Sequence, residues 1–209
     1  MTFDGILAPL VSTFLSGASG FINAQIPFGV LPAGKTVSTV NVVVMVNGIA
    51  SFPKQVQVRA AAPGVFTVQP DGQHNAILIF VDPVDDVVKM AAPVSASASI
   101  GLVTAPIPRG QTGFFYATGL GAMTPPVGDG VGGLEAPITT HSANSEPTVL
   151  IGGVAAVVQF AGQAPGFPGI NQINVLIPRE TPTGDSVPLQ VRTSDGILVS
   201  TPGATVAIR

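Results

Sequence analysis

The chain has no cysteine, no tryptophan, a single tyrosine and two histidines, and charged residues make up only 9% of its 209 positions. Each shortage excludes something. Without cysteine there are no disulfides and no thiolate metal sites, although this leaves the compartment open, because exported bacterial proteins also dispense with cysteine. Eight Lys plus Arg against eleven Asp plus Glu give a net charge of −3, which offers no basic footprint for nucleic acid. No run approaches the roughly 18 consecutive apolar residues of a membrane-spanning helix. Met1-Thr2-Phe3-Asp4 has neither the basic start nor the apolar core of a signal peptide, so export would use something outside this sequence or a leader already removed.

Catalytic constellations are also missing. His74 and His141 both fall in turn-rich polar segments, no Gly-x-Ser-x-Gly elbow is present, and Gly17-Ala18-Ser19-Gly20 lacks its spacing. Glu135, Glu146 and Glu180 are scattered, with nothing to pair them as the acid and base of a glycosidase. The expectation is a non-catalytic protein without a cofactor. One cluster has ligand chemistry: Asp82, Asp85 and Asp86, extended by Asp71, could supply hard oxygens to calcium, although they do not match an EF-hand loop and equally suit a soluble turn. A sugar-stacking platform is unadvertised, since Trp is absent, Tyr116 stands alone and the eleven Phe sit mostly where burial is expected.

What is present is β-branched and aliphatic. The hydrophobic fraction is 46%, enough apolar surface to offset chain entropy, and the 25 Gly and 20 Pro punctuate it. Runs rich in Val and Ile bounded by Gly, Pro, Asn and Asp predict strands near 22–26, 40–46, 55–59, 76–81, 113–118, 148–151, 155–160, 172–176, 187–192 and 205–208. Asn47-Gly48 and Asp195-Gly196 predict two-residue hairpin turns, and Pro27, Pro53, Pro178 and Pro202 predict strand ends. A short helical turn is expected around 82–90. Asn23, Asn171 and Asn174 are expected to cap backbone groups at turns.

Two stretches, 3–58 and 150–208, carry the same landmarks in the same order. Asp4-Gly5 answers Gly152-Gly153, and Ile22-Asn23-Ala24-Gln25-Ile26-Pro27 answers Ile173-Asn174-Val175-Leu176-Ile177-Pro178. Leu31-Pro32-Ala33-Gly34 then matches Thr181-Pro182-Thr183-Gly184, and Asn47-Gly48-Ile49 matches Asp195-Gly196-Ile197. Residues 106–148 precede the second copy and have no counterpart before the first. The expectation is an all-β chain of two Ig-like β-sandwich domains in tandem, the first lacking its N-terminal strands. The division is an N-terminal domain at 1–67, a connecting segment at 68–105 that could complete it, and a C-terminal domain at 106–209.

Ala61-Ala62-Pro63-Gly64-Val65-Phe66-Thr67, Tyr116-Ala117-Thr118-Gly119-Leu120-Gly121 with Thr124-Pro125-Pro126-Val127, and Ile151-Gly152-Gly153-Val154-Ala155 are the first three of a longer motif set. It continues through Phe160-Ala161-Gly162 and Ala164-Pro165-Gly166 to Asn171-Gln172-Ile173-Asn174. Together these resemble an uncharacterised C-terminal domain family of large secreted proteins of soil bacteria, chiefly acidobacteria. The resemblance covers most of the chain and implies an extracellular pair of Ig-like, IPT/TIG-type sandwiches with no activity and no catalytic residues. The missing upstream half of the first repeat and residues 82–104 depart from the pattern.

A sandwich short of a strand exposes an apolar groove and unpaired backbone groups that another chain's strand can fill. The scarcity of charge points the same way, because isolated sandwiches guard their edges with Lys. The functional expectation is an extracellular or cell-surface structural protein acting by self-association or contact with other surface proteins, in a layer, filament or adhesive assembly. Candidate donors are 1–15, 68–81 and the C-terminal strand ending at Arg209. The alternative is a polysaccharide-binding or surface-attachment module of a larger secreted protein.

Overall fold

The computed structural model describes all residues except 17–18, 70–73, 134–141, 144–145, 194–199 and 201. Strands occupy 51% of the chain and helix 5%, so the fold is all-β. The Asp195-Gly196 turn, Asp71, Glu135, His141 and part of Gly17-Ala18-Ser19-Gly20 lie outside the described residues.

Eight strands build an N-terminal unit: β1 (Thr2–Phe3), β2 (Ile6–Leu7), β3 (Leu10–Ser16), β4 (Ser19–Ala24), β5 (Val37–Val43), β6 (Met45–Val46), β7 (Ile49–Ala50) and β8 (Lys54–Arg59). One layer is a four-stranded sheet in the order β2-β1-β5-β8, and β3 with β4 forms a separate hairpin. Asn47 and Gly48 turn β6 into β7 with φ of 51° and 80°, the left-handed pair that a two-residue hairpin requires.

The second unit begins with β9 (Gly64–Val65), β10 (His74–Asn75), β11 (Leu78–Val81) and β12 (Val88–Met90), followed by a single helical turn, α1 (Ser97–Ile100). It continues through β13 (Thr112–Thr118), β14 (Met123–Thr124), β15 (Ser142–Ala143) and β16 (Thr148–Ile151). The last strands are β17 (Val154–Gln163), β18 (Asn171–Leu176), β19 (Gly184–Arg192) and β20 (Ala204–Ile208). They join into one 12-stranded sheet whose main path is β10-β20-β19-β16-β17-β18-β13-β11-β12, and part of it curls into a half-barrel. The fold places residues 82–87 in a turn between β11 and β12, so the helical turn expected at 82–90 sits instead at 94–100. The Asp-rich stretch bonds its own backbone, with Asp86 N–H reaching Asp82 O at 2.9 Å, and no helix propagates.

The repeat seen in the sequence is a repeat of pairing. β1 pairs β2 and β5, as β16 pairs β17 and β19; β3 pairs β4 as β17 pairs β18; β5 pairs β8 as β19 pairs β20. Asp4 and Gly5 turn β1 into β2 with φ of 45° and 84°, and Gly152 and Gly153 turn β16 into β17 with φ of 60° and 83°. Even the bulges coincide. The β3–β4 register shifts between Leu10 and Ser12, where Asn23 faces Ser12; the β17–β18 register shifts between Val158 and Phe160, where Asn174 faces Phe160. A bulge bends its strand, and β17 uses the bend to pass from β16 to β18 as one strand. In the first copy Pro9 interrupts that strand, splitting it into β2 and β3.

Residues 68–105 do not complete the first unit. β10 pairs β20, β11 pairs β12 and β13, and no described strand after residue 60 pairs with one before it. β9 lies on β13 as well, so 64–67, expected within the first domain, belong to the second unit's sheet. The units meet at a tight junction: Phe28 N–H donates to Asp129 Oδ1 and Gly130 N–H to Gln25 Oε1, each at 2.8 Å. At the linker Ala62 N–H donates to Gly119 O at 2.8 Å, and a Cβ on Gly119 would stand 1.9 Å from Ala62 O, so only glycine permits this approach.

The two cores differ greatly in size. The second unit buries Leu78, Ile107, Phe115, Ile173, Val175, Ile177 and Leu189 completely, whereas the first gathers only Phe3, Ala8, Val30, Val40 and Val58. Repeat-equivalent positions should therefore respond unequally to truncation. Ile177→Ala should cost about 2–5 kcal/mol, and its counterpart Ile26→Ala, half exposed, less than about 1 kcal/mol. Urea denaturation of the two variants measures the difference, and equal losses would contradict the unequal packing.

Candidate functional site

The strand that makes the two copies unequal is β13. In the second unit it lies along the outer edge of β18, pairing Gly113 with Val175, Phe115 with Ile173 and Ala117 with Asn171. Phe115 and Ala117 point into the core and are fully buried, as are Ile173, Val175 and Ile177 beneath them. The equivalent strand of the first unit, β4, pairs with β3 alone among the described residues. Its inward positions Ile22 and Ala24 are only half-buried, and Ile26 is 49% exposed where Ile177 is 0%. Across the hairpin Leu15 is 78% exposed, and Phe14 and Phe21 stack on one another at 5.3 Å with both rings half in water. The result is an apolar strand with an edge that no described strand pairs, the arrangement that soluble β-proteins ordinarily protect.

The outer strand of the separate four-stranded sheet is protected. β8 carries Lys54 and Arg59 at its ends and Gln55 and Gln57 between them, all exposed, with Arg59 Nη2 donating to Gln57 Oε1 at 2.7 Å. β4 reads Ser-Gly-Phe-Ile-Asn-Ala and carries no charge. Its Asn23 is occupied locally, Nδ2 donating to Ser12 Oγ at 2.9 Å. Of the three asparagines expected to cap backbone groups, Asn171 does so, accepting from Leu120 N–H at 3.2 Å, while Asn174 accepts from the Gln172 side chain at 2.8 Å.

The acidic cluster does different work from that of a calcium loop. Asp82 is buried in the turn after β11, where it accepts from Val84 N–H at 3.1 Å, from Lys89 Nζ at 3.1 Å and from Arg209 Nη2 at 2.8 Å. Asp85 accepts from Lys89 Nζ at 2.6 Å. Two of the three candidate ligands are thus engaged by cations, which repel a metal ion, and Asp86 is turned through a left-handed φ of 57° in the exposed turn. Among the described residues no three acidic or histidine side chains gather as a metal-holding group. The Arg209–Asp82 bond spans 127 positions and ties the end of β20 to the β11–β12 hairpin. His74 is an exposed residue of β10, facing Ala204 of β20.

Tyr116 contacts Phe114 at 5.8 Å with planes 80° apart and Phe167 at 6.3 Å with planes 64° apart. Each contact is edge-to-face, so these three rings do not present the coplanar surface on which a sugar stacks.

The ion-pair cluster has a definite pH signature. The Val84 N–H, then Lys89 and Arg209, hold the Asp82 carboxyl below its ordinary value of 3.8, and the Lys89 hydrogen bond does the same for Asp85. Asp85 and then Asp82 hold Lys89 above its ordinary 10.5. Lowered carboxylates stabilise the fold above their unfolded pKa and lose that contribution as pH falls through the folded value; the raised lysine contributes below its unfolded pKa and loses this as pH rises through the folded one. The melting-temperature gap between the native protein and Asp82→Asn should be level from about pH 5 to 9 and shrink below about pH 4. A gap unchanged at strongly acid pH would remove the ion pairs as its cause. No family model matches the chain, and no curated protein or solved structure matches it.

Proposed function

We propose that this is a non-catalytic structural protein of the cell exterior, Ig-like in character, that works by protein–protein assembly through the open β4 edge of its N-terminal unit. One observation carries the reading. The core-facing residues of β18, Ile173 and Val175, are 0% exposed beside β13, whereas their repeat counterparts Ile22 and Ala24, on a strand that only β3 pairs among the described residues, are half-buried. Leaving such a face uncovered forgoes about 25 cal/mol for each Å² that another chain could bury. The uncharged β4 edge, opposite the Lys- and Arg-bearing β8, supports the same assignment. The extracellular setting rests on the family resemblance.

The route of assembly differs from exchange of a terminal strand. The three donors expected from the sequence are committed within their own chain: 1–15 to β1, β2 and β3, the described part of 68–81 to β10 and β11, and the C-terminal strand to a place between β19 and β10. Releasing any of them would dismantle a sheet. Pairing along an edge that is already free costs none of this.

Purified protein should therefore associate in a concentration-dependent manner that salt does not reverse, because main-chain pairing and apolar burial hold it. The double variant Phe21→Lys, Ile26→Lys should shift the population to monomer while leaving the melting temperature within a few degrees. Light scattering reads both. A monodisperse 21 kDa native species at high concentration would overturn self-assembly.

A further inference from the structure

We infer that the β4 edge is a docking site for an extended, uncharged strand of a separate polypeptide that enters antiparallel with the residue pattern of β13. This rests on the assembly reading above and goes beyond it by fixing the occupant's direction, register and side-chain pattern. The second copy of the repeat is the template. Its pairing path, turn conformation and bulge position agree with the first copy's, so the place of β13 on β18 defines a place on β4 that no described strand fills.

Transferring the register sets the occupant. Val175 corresponds to Ala24, Asn174 to Asn23, Ile173 to Ile22 and Gln172 to Phe21, so a β13-like strand would set its Gly113, Phe114, Phe115 and Tyr116 positions opposite Ala24, Asn23, Ile22 and Phe21. Inward positions alternate: Gly113, Phe115 and Ala117 face the core in the template, and Phe114 and Tyr116 face out. The incoming strand is therefore read as Gly-x-Phe-x-Ala, with its aromatic residue over Ile22. A shift of one residue would turn that ring to the solvent, so register is strongly specified. An uncharged strand suits the site because neither β4 nor β13 carries an ionisable group other than Tyr116. Within the chain the strand of this pattern is already held on both sides, by β18 on one and by β11 and β9 on the other. The occupant must therefore come from elsewhere.

The experiment uses the full chain and a synthetic peptide with the sequence of residues 109–119. The peptide should bind saturably, and a scrambled peptide at least about tenfold more weakly. Absence of native cysteine permits a register scan: protein carrying Asn23→Cys is mixed with peptides bearing a single cysteine in place of Thr112, Phe114 or Tyr116. The disulfide should form fastest at the Phe114 position, and Asn174→Cys, whose edge β13 already fills, should not cross-link. Bound peptide should also dissolve the self-assembled species. Equal cross-linking at all three positions, or scrambled peptide binding as well, would overturn the inference. If the protein self-associates through Asn23→Cys disulfide dimers and ignores the peptide, the β4 edge pairs with itself; the docked strand is then excluded while assembly stands. If peptide binds in register and the protein alone stays monomeric, self-assembly falls and the docking site stands.

Discussion

An apolar strand's open edge in water has to be covered, and in the second unit β13 covers that of β18. Its inward Phe115 stands beside Ile173 in the core, its backbone satisfies the outer edge of β18, and its far edge seats β11 and β9. The curl of the large sheet follows from that chain of pairings. β17 bends at its bulge to join β16 to β18, and β13 extends the curve towards the β11–β12 hairpin. The buried Asp82, held by Lys89 and Arg209, then fastens this hairpin to the end of β20.

The sequence made much of this legible because its signals were local. Alternating Val and Ile runs marked most of the long strands, Asn47-Gly48 marked its hairpin, and the paired landmarks marked the repeat. What it concealed was long-range. Nothing in Asp82-Pro83-Val84-Asp85-Asp86 announces that Arg209 closes on it from 127 positions away, so the sequence offered a soluble turn or a cation loop and gave no sign of an ion-pair anchor. The helical turn was misplaced for a related reason: the acidic side chains and the turn backbone bond one another, which competes with helix. The connecting segment could be assigned to either unit until pairing partners were known, since strand pattern gives no partner. The β4 surface was half visible. Missing counterparts for 106–148 pointed to an incomplete first copy, but which strand lay bare required the register of β13 on β18.

An exposed edge alone is weak grounds for function, since every open sheet has two. What gives β4 its meaning is the repeat: β18, its counterpart, carries β13 on the edge that no described strand pairs on β4. A chain with eight basic residues places two of them, Lys54 and Arg59, on β8, and so spends a quarter of its positive charge guarding one edge of one small sheet. β4 receives none, and its hairpin adds Phe14, Leu15 and Phe21 to the exposed surface.

The same asymmetry ties assembly to stability. Among the described residues the first unit's core has five buried apolar side chains, small for a fold that must offset the entropy of ordering nearly sixty residues, and so it draws support from its junction with the second unit through Gln25, Phe28 and Asp129. A strand that binds only the folded unit would raise its stability by mass action, by about 2.7 kcal/mol at a concentration of roughly 100 times Kd. An increment of that size is large beside the 5–15 kcal/mol or so that separates an ordinary folded domain from its unfolded chain. Occupancy of the β4 edge and integrity of the N-terminal unit are therefore one linked equilibrium: whatever covers the edge also holds the unit together, and the second unit, already carrying its own covering strand, is indifferent to it.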